Sequence, residues 1–180
     1  MRTTRWMWGA CAGLLLSGGA LAKEPAPRAQ THPAGRDGEF VRQALAVNEL
    51  ELRLGRLAAE RATGPELRAK AQKMVENHTK IGRQLADLAQ QAGMPGDAEM
   101  SAEQRETFAR VESQPASSFD RVFQQTVDEG HVKELAMYQA EVSRAASPQL
   151  RTLAEQRVAA LKQAVAGAGQ PAKAMSSDER

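Results

Sequence analysis

From residue 38 onward the apolar positions recur every three or four residues, the period of one helix face. Over 38–62 the stripe runs Phe40, Ala44, Val47, Glu51, Leu54 and Ala58. Over 64–92 it runs Leu67, Ala71, Met74, His78, Ile81, Leu85 and Leu88. A third stripe over 118–145 carries Phe123, Val127, His131, Leu135, Tyr138 and Val142. A fourth over 148–166 carries Leu150, Ala154, Val158, Leu161 and Val165, with no ionisable residue among them. A shorter helix is expected at 102–113. No segment alternates with the two-residue period of a half-buried strand, and Ala, Leu, Glu, Gln and Arg, all strong helix formers, dominate.

Local signals predict where these helices start and stop. Asp37 is placed to cap a helix beginning at Gly38, and Ser117 to cap the one that carries Phe119. Thr63-Gly64-Pro65-Glu66 and Ser101-Ala102-Glu103-Gln104 have the form of capping boxes. Ser147-Pro148 pairs a cap with proline at the first helical position. Gly93-Met94-Pro95-Gly96 is a break. The first two helices and the last two are joined tightly, so each pair is an antiparallel hairpin. The second helix is about 43 Å long at ~1.5 Å per residue, and the long connector with its short helix can run that length. Two hairpins joined by one long crossover make the ferritin-like form of the all-α four-helix bundle.

The ends of the chain read differently. Met1 to Trp6 carries Arg2 and Arg5, Met7 to Leu21 is uncharged and apolar, and Ala20-Leu21-Ala22 fits small-x-small cleavage. This is the anatomy of a removable export signal with cleavage after Ala22, and the apolar run is short of a membrane span. The expected location is periplasmic or exported, with outer-membrane association open and no transmembrane anchor after signal removal. Residues 23–36 read as a flexible leader and 167–180 as a frayed tail.

The export signal changes the composition. The 180-residue chain has 24 Lys and Arg against 22 Asp and Glu. Without residues 1–22 the two balance, and Cys11, Trp6 and Trp8 are gone. A disulfide scaffold, a thiol enzyme and a cysteine metal site are thereby excluded. A neutral, aromatic-poor chain also lacks the basic patches and stacking platforms of a nucleic-acid binder. A phosphate loop, nucleophile elbow or His-Glu-x-x-His motif is absent from the sequence, and no catalytic residue is indicated.

What remains is the set of ionisable residues that interrupt apolar stripes. Glu51 and His78 lie at similar depths below the first hairpin turn, and His131 lies midway along the third long helix. All three can converge on one central layer, with Asp120 on the same side of its helix. A buried carboxylate or imidazole needs a partner. The bland account is a satisfied polar pair or cluster. The sharper account is a divalent metal held by Glu51, His78, His131 and Asp120, with Fe²⁺, Zn²⁺, Mn²⁺ and Cu²⁺ all suited to such ligands. A catalytic di-iron centre is not indicated. It wants two Glu-x-x-His repeats, whereas Val75 and Asp128 stand three residues before His78 and His131.

Asp37 to Phe40, Glu51 to Ala58, Met74 to Thr79, Phe119-Asp120 and His131 resemble a family of exported bacterial proteins catalogued as domain of unknown function 4142. The resemblance covers residues 37–165. It implies a ferritin-like helical bundle that is periplasmic or otherwise exported, and no established reaction. The family's recurring polar positions fall on Glu51, His78, Asp120 and His131. This chain departs in three places: Asn77 replaces an acidic residue, Val158-Ala159 replaces Leu-Pro, and the late helix has no His near Ala164. The missing His removes a metal ligand that the resemblance implies. The favoured expectation is a non-enzymatic binding or envelope-associated protein, acting with an envelope partner or as a homo-oligomer. Metal binding is the alternative.

Overall fold

The computed structural model describes residues 33–168. The expected export signal, residues 23–32 of the expected leader and 169–180 of the expected tail lie outside them. The described residues form five helices and no strand: α1 (Pro33–Arg61), α2 (Pro65–Gln91), α3 (Ala102–Glu112), α4 (Ala116–Val142) and α5 (Pro148–Ala168). α1 pairs with α2 and α4 with α5, and α1 also packs on α4 and on the crossover helix α3. The fold is all-α: four long helices in two hairpins, linked by a crossover with one short helix.

Several caps differ from expectation. Asp37 lies inside α1, which begins at Pro33 rather than Gly38. Its carboxylate accepts instead from the backbone N–H groups of Ala146 (3.1 Å) and Ser147 (2.8 Å) in the α4–α5 turn. Thr63 does not cap α2, whose N-cap is Gly64 without a side-chain bond. Ser117 does not cap α4, which starts after Pro115. The Ser101 box forms as read, with Gln104 N–H to Ser101 Oγ at 3.2 Å and Ser101 N–H to Gln104 Oε1 at 2.7 Å. Gly93 ends α2 with φ +71, a left-handed conformation that glycine adopts freely. The Met94 and Gly93 N–H groups then reach the Ala89 and Gln90 carbonyls, a Schellman stop.

The reassigned aspartates expose an internal repeat. Asp120, at the start of α4, accepts from Thr63 Oγ1 and from the Thr63 and Gly64 amides (3.2 and 3.3 Å) in the α1–α2 turn. Asp37, at the start of α1, does the same for Ala146 and Ser147. Arg68 donates to the Ala62 carbonyl (2.9 Å) and Arg151 to the Ala145 carbonyl (2.7 Å). All of these pairs are related by one shift, that from Asp37 to Asp120. The same shift carries Phe40 to Phe123, Glu51 to Glu134, and Pro65-Glu66-Leu67-Arg68 to Pro148-Gln149-Leu150-Arg151. The reciprocal contacts make α1 and α4 antiparallel, so α2 and α4 are parallel. The two hairpins are thus related by an approximate two-fold axis.

The core is divided lengthwise. One apolar cluster gathers Phe40, Leu45, Ile81, Leu85, Tyr138, Leu150 and Leu161 around the end of the molecule that holds the α4–α5 turn. Another gathers Leu54, Ala58, Ala71, Val111, Phe119 and Phe123 towards the α1–α2 turn. Along α1, α2 and α4 the segment between them carries buried polar residues: Asn48, Glu51, His78, Thr126 and Glu134.

Candidate functional site: the mid-bundle polar layer

α1 and α2 supply the first half of the layer. Glu51 is 4% exposed and His78 5%. His78 Nε2 lies 2.7 Å from Glu51 Oε2, and the pair is ionic when the ring is protonated. The ring's other nitrogen, Nδ1, lies 3.0 Å from Asn48 Oδ1, so Asn48 and Glu51, one turn apart on α1, hold opposite edges of one imidazole. A close helix approach permits this. A Cβ at Gly82 would sit 2.8 Å from Asn48 Nδ2. Burial pushes the Glu51 carboxyl up, but His78, with smaller contributions from His131 and Arg157, holds the group below the usual carboxylate range.

α4 and α5 supply the second half. Glu134 is 5% exposed, and Arg157 Nη2 donates to its Oε1 at 2.7 Å. The Arg157 side chain is 12% exposed, and its guanidinium stands 5.7 Å from the centre of the Tyr138 ring. Burial and then repulsion from Glu51 push the Glu134 carboxyl up to about 7, against the attraction of Arg157. Glu134 Oε2 and Arg157 Nε are buried without a hydrogen-bond partner. The repeat makes Glu134 the counterpart of Glu51, but the basic partners are not counterparts. His78 matches Leu161, and Arg157 matches Met74, one turn earlier on its helix. Each hairpin thus supplies a carboxylate from its first helix and a base from its second.

The structure brings Glu51 and His78 together, as their heights predict. His131 is half-buried and close enough to draw the Glu51 carboxyl down. Asp120 stands apart from the layer, bonded to the α1–α2 turn. Thr63 is twelve residues beyond Glu51 on the same hairpin arm, about 18 Å of helix away. Hydrogen bonds from Thr63 hold the Asp120 carboxyl low. It is a capping group, outside any mid-bundle ligand set.

Sequence reasoning missed Asn48, Glu134 and Arg157. α4 buries Phe123, Val127 and Tyr138 of the expected stripe, but it also buries Thr126 and Glu134 and leaves His131 and Leu135 half-buried. The stripe of the last helix carries no ionisable residue, as read, and Arg157 enters the layer from the position beside it. Its aliphatic stem reaches inward from beside the apolar stripe. The signal that finds Glu134 is the equal spacing from Asp37 to Glu51 and from Asp120 to Glu134.

The layer is electrically polarised across the bundle. Glu51 and Glu134 line a cavity of about 450 Å³ between α1, the crossover and α4. His78, His131 and Arg157 line a cleft of about 300 Å³ between α2, α4 and α5. A fold of this class, with its polar groups turned inward between hairpins, places the chain among the ferritin-like arrangements of helices. The model of the domain of unknown function DUF4142 matches residues 22–170, and the chain belongs to that family. No curated protein matches it. Among solved structures it is similar to the DUF305 fragment from Deinococcus radiodurans, at 20% identity and a TM-score of 0.65 over 74% of this chain and 92% of that one. At that identity the likeness speaks for the fold alone.

Proposed function

We propose that this chain is an exported, non-enzymatic binding protein built around a charge-compensated interior layer. The observation that carries this reading is the pairing of both mid-layer glutamates with a base from their own hairpin, Glu51 with His78 and Glu134 with Arg157, both at 2.7 Å. A carboxylate already engaged by a base of its own hairpin has less need of a metal ion as a partner. The cavities on either side supply the binding surface. The basic and acidic residues balance once the expected signal is removed, so no strongly charged polymer is the natural partner. An envelope protein or a second copy of the chain fits the same reading.

A second reading is favoured by one observation. Glu134 Oε2 is buried without a partner beside the acidic cavity. A divalent cation there would take Glu51 and Glu134 alone, since among the described residues no group of three or more His, Asp or Glu is placed to hold a metal. Fe²⁺, Zn²⁺, Mn²⁺ and Cu²⁺ all accept carboxylate and imidazole ligands. Metal analysis by mass spectrometry separates the two. The untagged chain recovered from the periplasm is compared with its Glu51→Gln/Glu134→Gln variant. Substoichiometric metal in both supports the binding reading. Near-stoichiometric metal that disappears in the variant overturns it in favour of the cation site.

A further inference from the structure

The cavities differ in the charge that they offer. The cavity of about 740 Å³ between α1, α2 and the crossover mixes Arg53, Arg56, Arg83 and Arg105 with Glu49, Asp97 and Glu99. The one holding Glu51 and Glu134 is predominantly acidic. The α2/α4/α5 cleft is lined by Lys70, Lys73 and Arg157 together with two histidines, and no carboxylate lines it. Its remaining wall is mostly apolar, including Leu67, Phe123 and Leu161.

The charges and the apolar side chains are arranged along the cleft. His78, His131 and Arg157 belong to the mid-bundle layer. Leu67 and Phe123 lie towards the α1–α2 turn, where α2 and α4 begin. Lys70 and Lys73 are exposed on the α2 rim between these levels. The buried Nε of Arg157 has no hydrogen-bond partner, so this guanidinium keeps an unused donor after bonding Glu134. A cleft with a basic inner end, an apolar run and a basic rim complements a molecule with one anionic head and an apolar tail. The volume suits a small ligand of this kind, and a folded polypeptide is too large to enter it.

We infer that the α2/α4/α5 cleft binds a small amphipathic carboxylate, its head at Arg157 and His131 and its tail along Leu67, Phe123 and Leu161. This rests on the reading of the chain as a binding protein and names the ligand class. The head is held by charge-assisted hydrogen bonds and the tail by apolar burial, so neither half alone binds as well.

Isothermal titration of the exported chain with octanoate tests the inference, with octanol, octylamine and acetate as probes that each lack one half of the chemistry. One octanoate per chain is expected, with each of the other three at least tenfold weaker. His131→Glu, which puts a carboxylate where the head is bound, should weaken octanoate at least tenfold, and Ala164→Phe, which fills the apolar end, should abolish binding. Circular dichroism verifies that each variant remains helical. Should one unfold, Ala160→Leu on the same wall replaces Ala164→Phe, and His131→Gln replaces His131→Glu. The inference is overturned if octanoate gives no saturable binding, if octanol matches it, if acetate matches it, or if both folded variants bind as the parent does. Loss of octanoate binding alongside absence of metal would reject the ligand while leaving the charge-compensated layer in place. Stoichiometric metal would reject the layer reading itself.

Discussion

Glu51 and Glu134 occupy equivalent places in the two hairpins, yet their carboxyls are driven in opposite directions. Glu51 is held below its ordinary value of 4.5 and Glu134 is raised from the same value to about 7. The signs of their stability contributions are therefore opposite. The Glu51 contribution is present above its unfolded value and is lost as pH falls through the folded one. The Glu134 contribution is present below its unfolded value and is lost as pH rises through about 7. Between pH 5 and pH 8 only the second is in play. The parent chain should lose about 3 kcal/mol across that window relative to Glu134→Gln, which stays neutral throughout. Urea unfolding of the two proteins at both pH values measures it, and parallel pH curves would show that Glu134 does not titrate there. His78 allows a separate test. His78→Leu leaves Glu51 buried opposite an apolar group and should cost about 3–5 kcal/mol. Glu51→Leu/His78→Leu should cost much less than the two single changes added together, because the uncompensated charge is gone.

At the scale of the helices, glycine positions show where close packing overrides propensity. Gly82 and Gly130 both lie inside helices, where alanine ordinarily gains up to about 1 kcal/mol over glycine. At Gly130 a Cβ would meet Glu51 Oε1 at 3.5 Å, an ordinary contact. At Gly82 it would meet Asn48 Nδ2 at 2.8 Å, and Asn48 is tied to His78. Gly130→Ala should raise the thermal midpoint and Gly82→Ala should lower it, both read from calorimetric melts. Equal effects would mean that Asn48 can move aside freely. The helix ends teach a related lesson about the sequence. The elements and the tight hairpins were legible because the apolar period is long and the breaks at Thr63–Pro65 and Ser147-Pro148 are clear. The employment of the aspartates was not. Asp37 looks like a local cap, but its partners are 109 and 110 residues away in sequence, and only packing brings them together. Glu51 and His78 were legible because they interrupt an apolar stripe. Glu134 and Arg157 were not, because each lies beside its stripe and turns inward through helix rotation or a long side chain.

For the whole molecule, the approximate two-fold axis places one carboxylate–base pair in each hairpin, between apolar clusters at the two ends. Such a layer is a poor source of net stability. Desolvating ionisable groups offsets most of the attraction between them, and apolar replacements of similar volume are often as stable or more stable. What the layer supplies is register. An apolar face repeating every three or four residues can slide by a turn and still bury Ala, Leu and Val, whereas Glu51 reaches His78, and Glu134 reaches Arg157, at one setting only. Replacing all four, as Glu51→Leu/His78→Leu/Glu134→Leu/Arg157→Met, tests this. Met and Leu are the residues already present at the repeat-related positions of Arg157 and His78, so the volumes suit the fold. The variant should match or exceed the parent in urea resistance, by about 1–4 kcal/mol. Its amide NMR spectrum should broaden as neighbouring registers become populated. A variant that is both stable and sharply resolved would remove register as the reason for the layer. The polarised cavities, acidic on one side and basic on the other, would then be what the four residues maintain, and loss of octanoate binding in that same variant would tie them to the cleft.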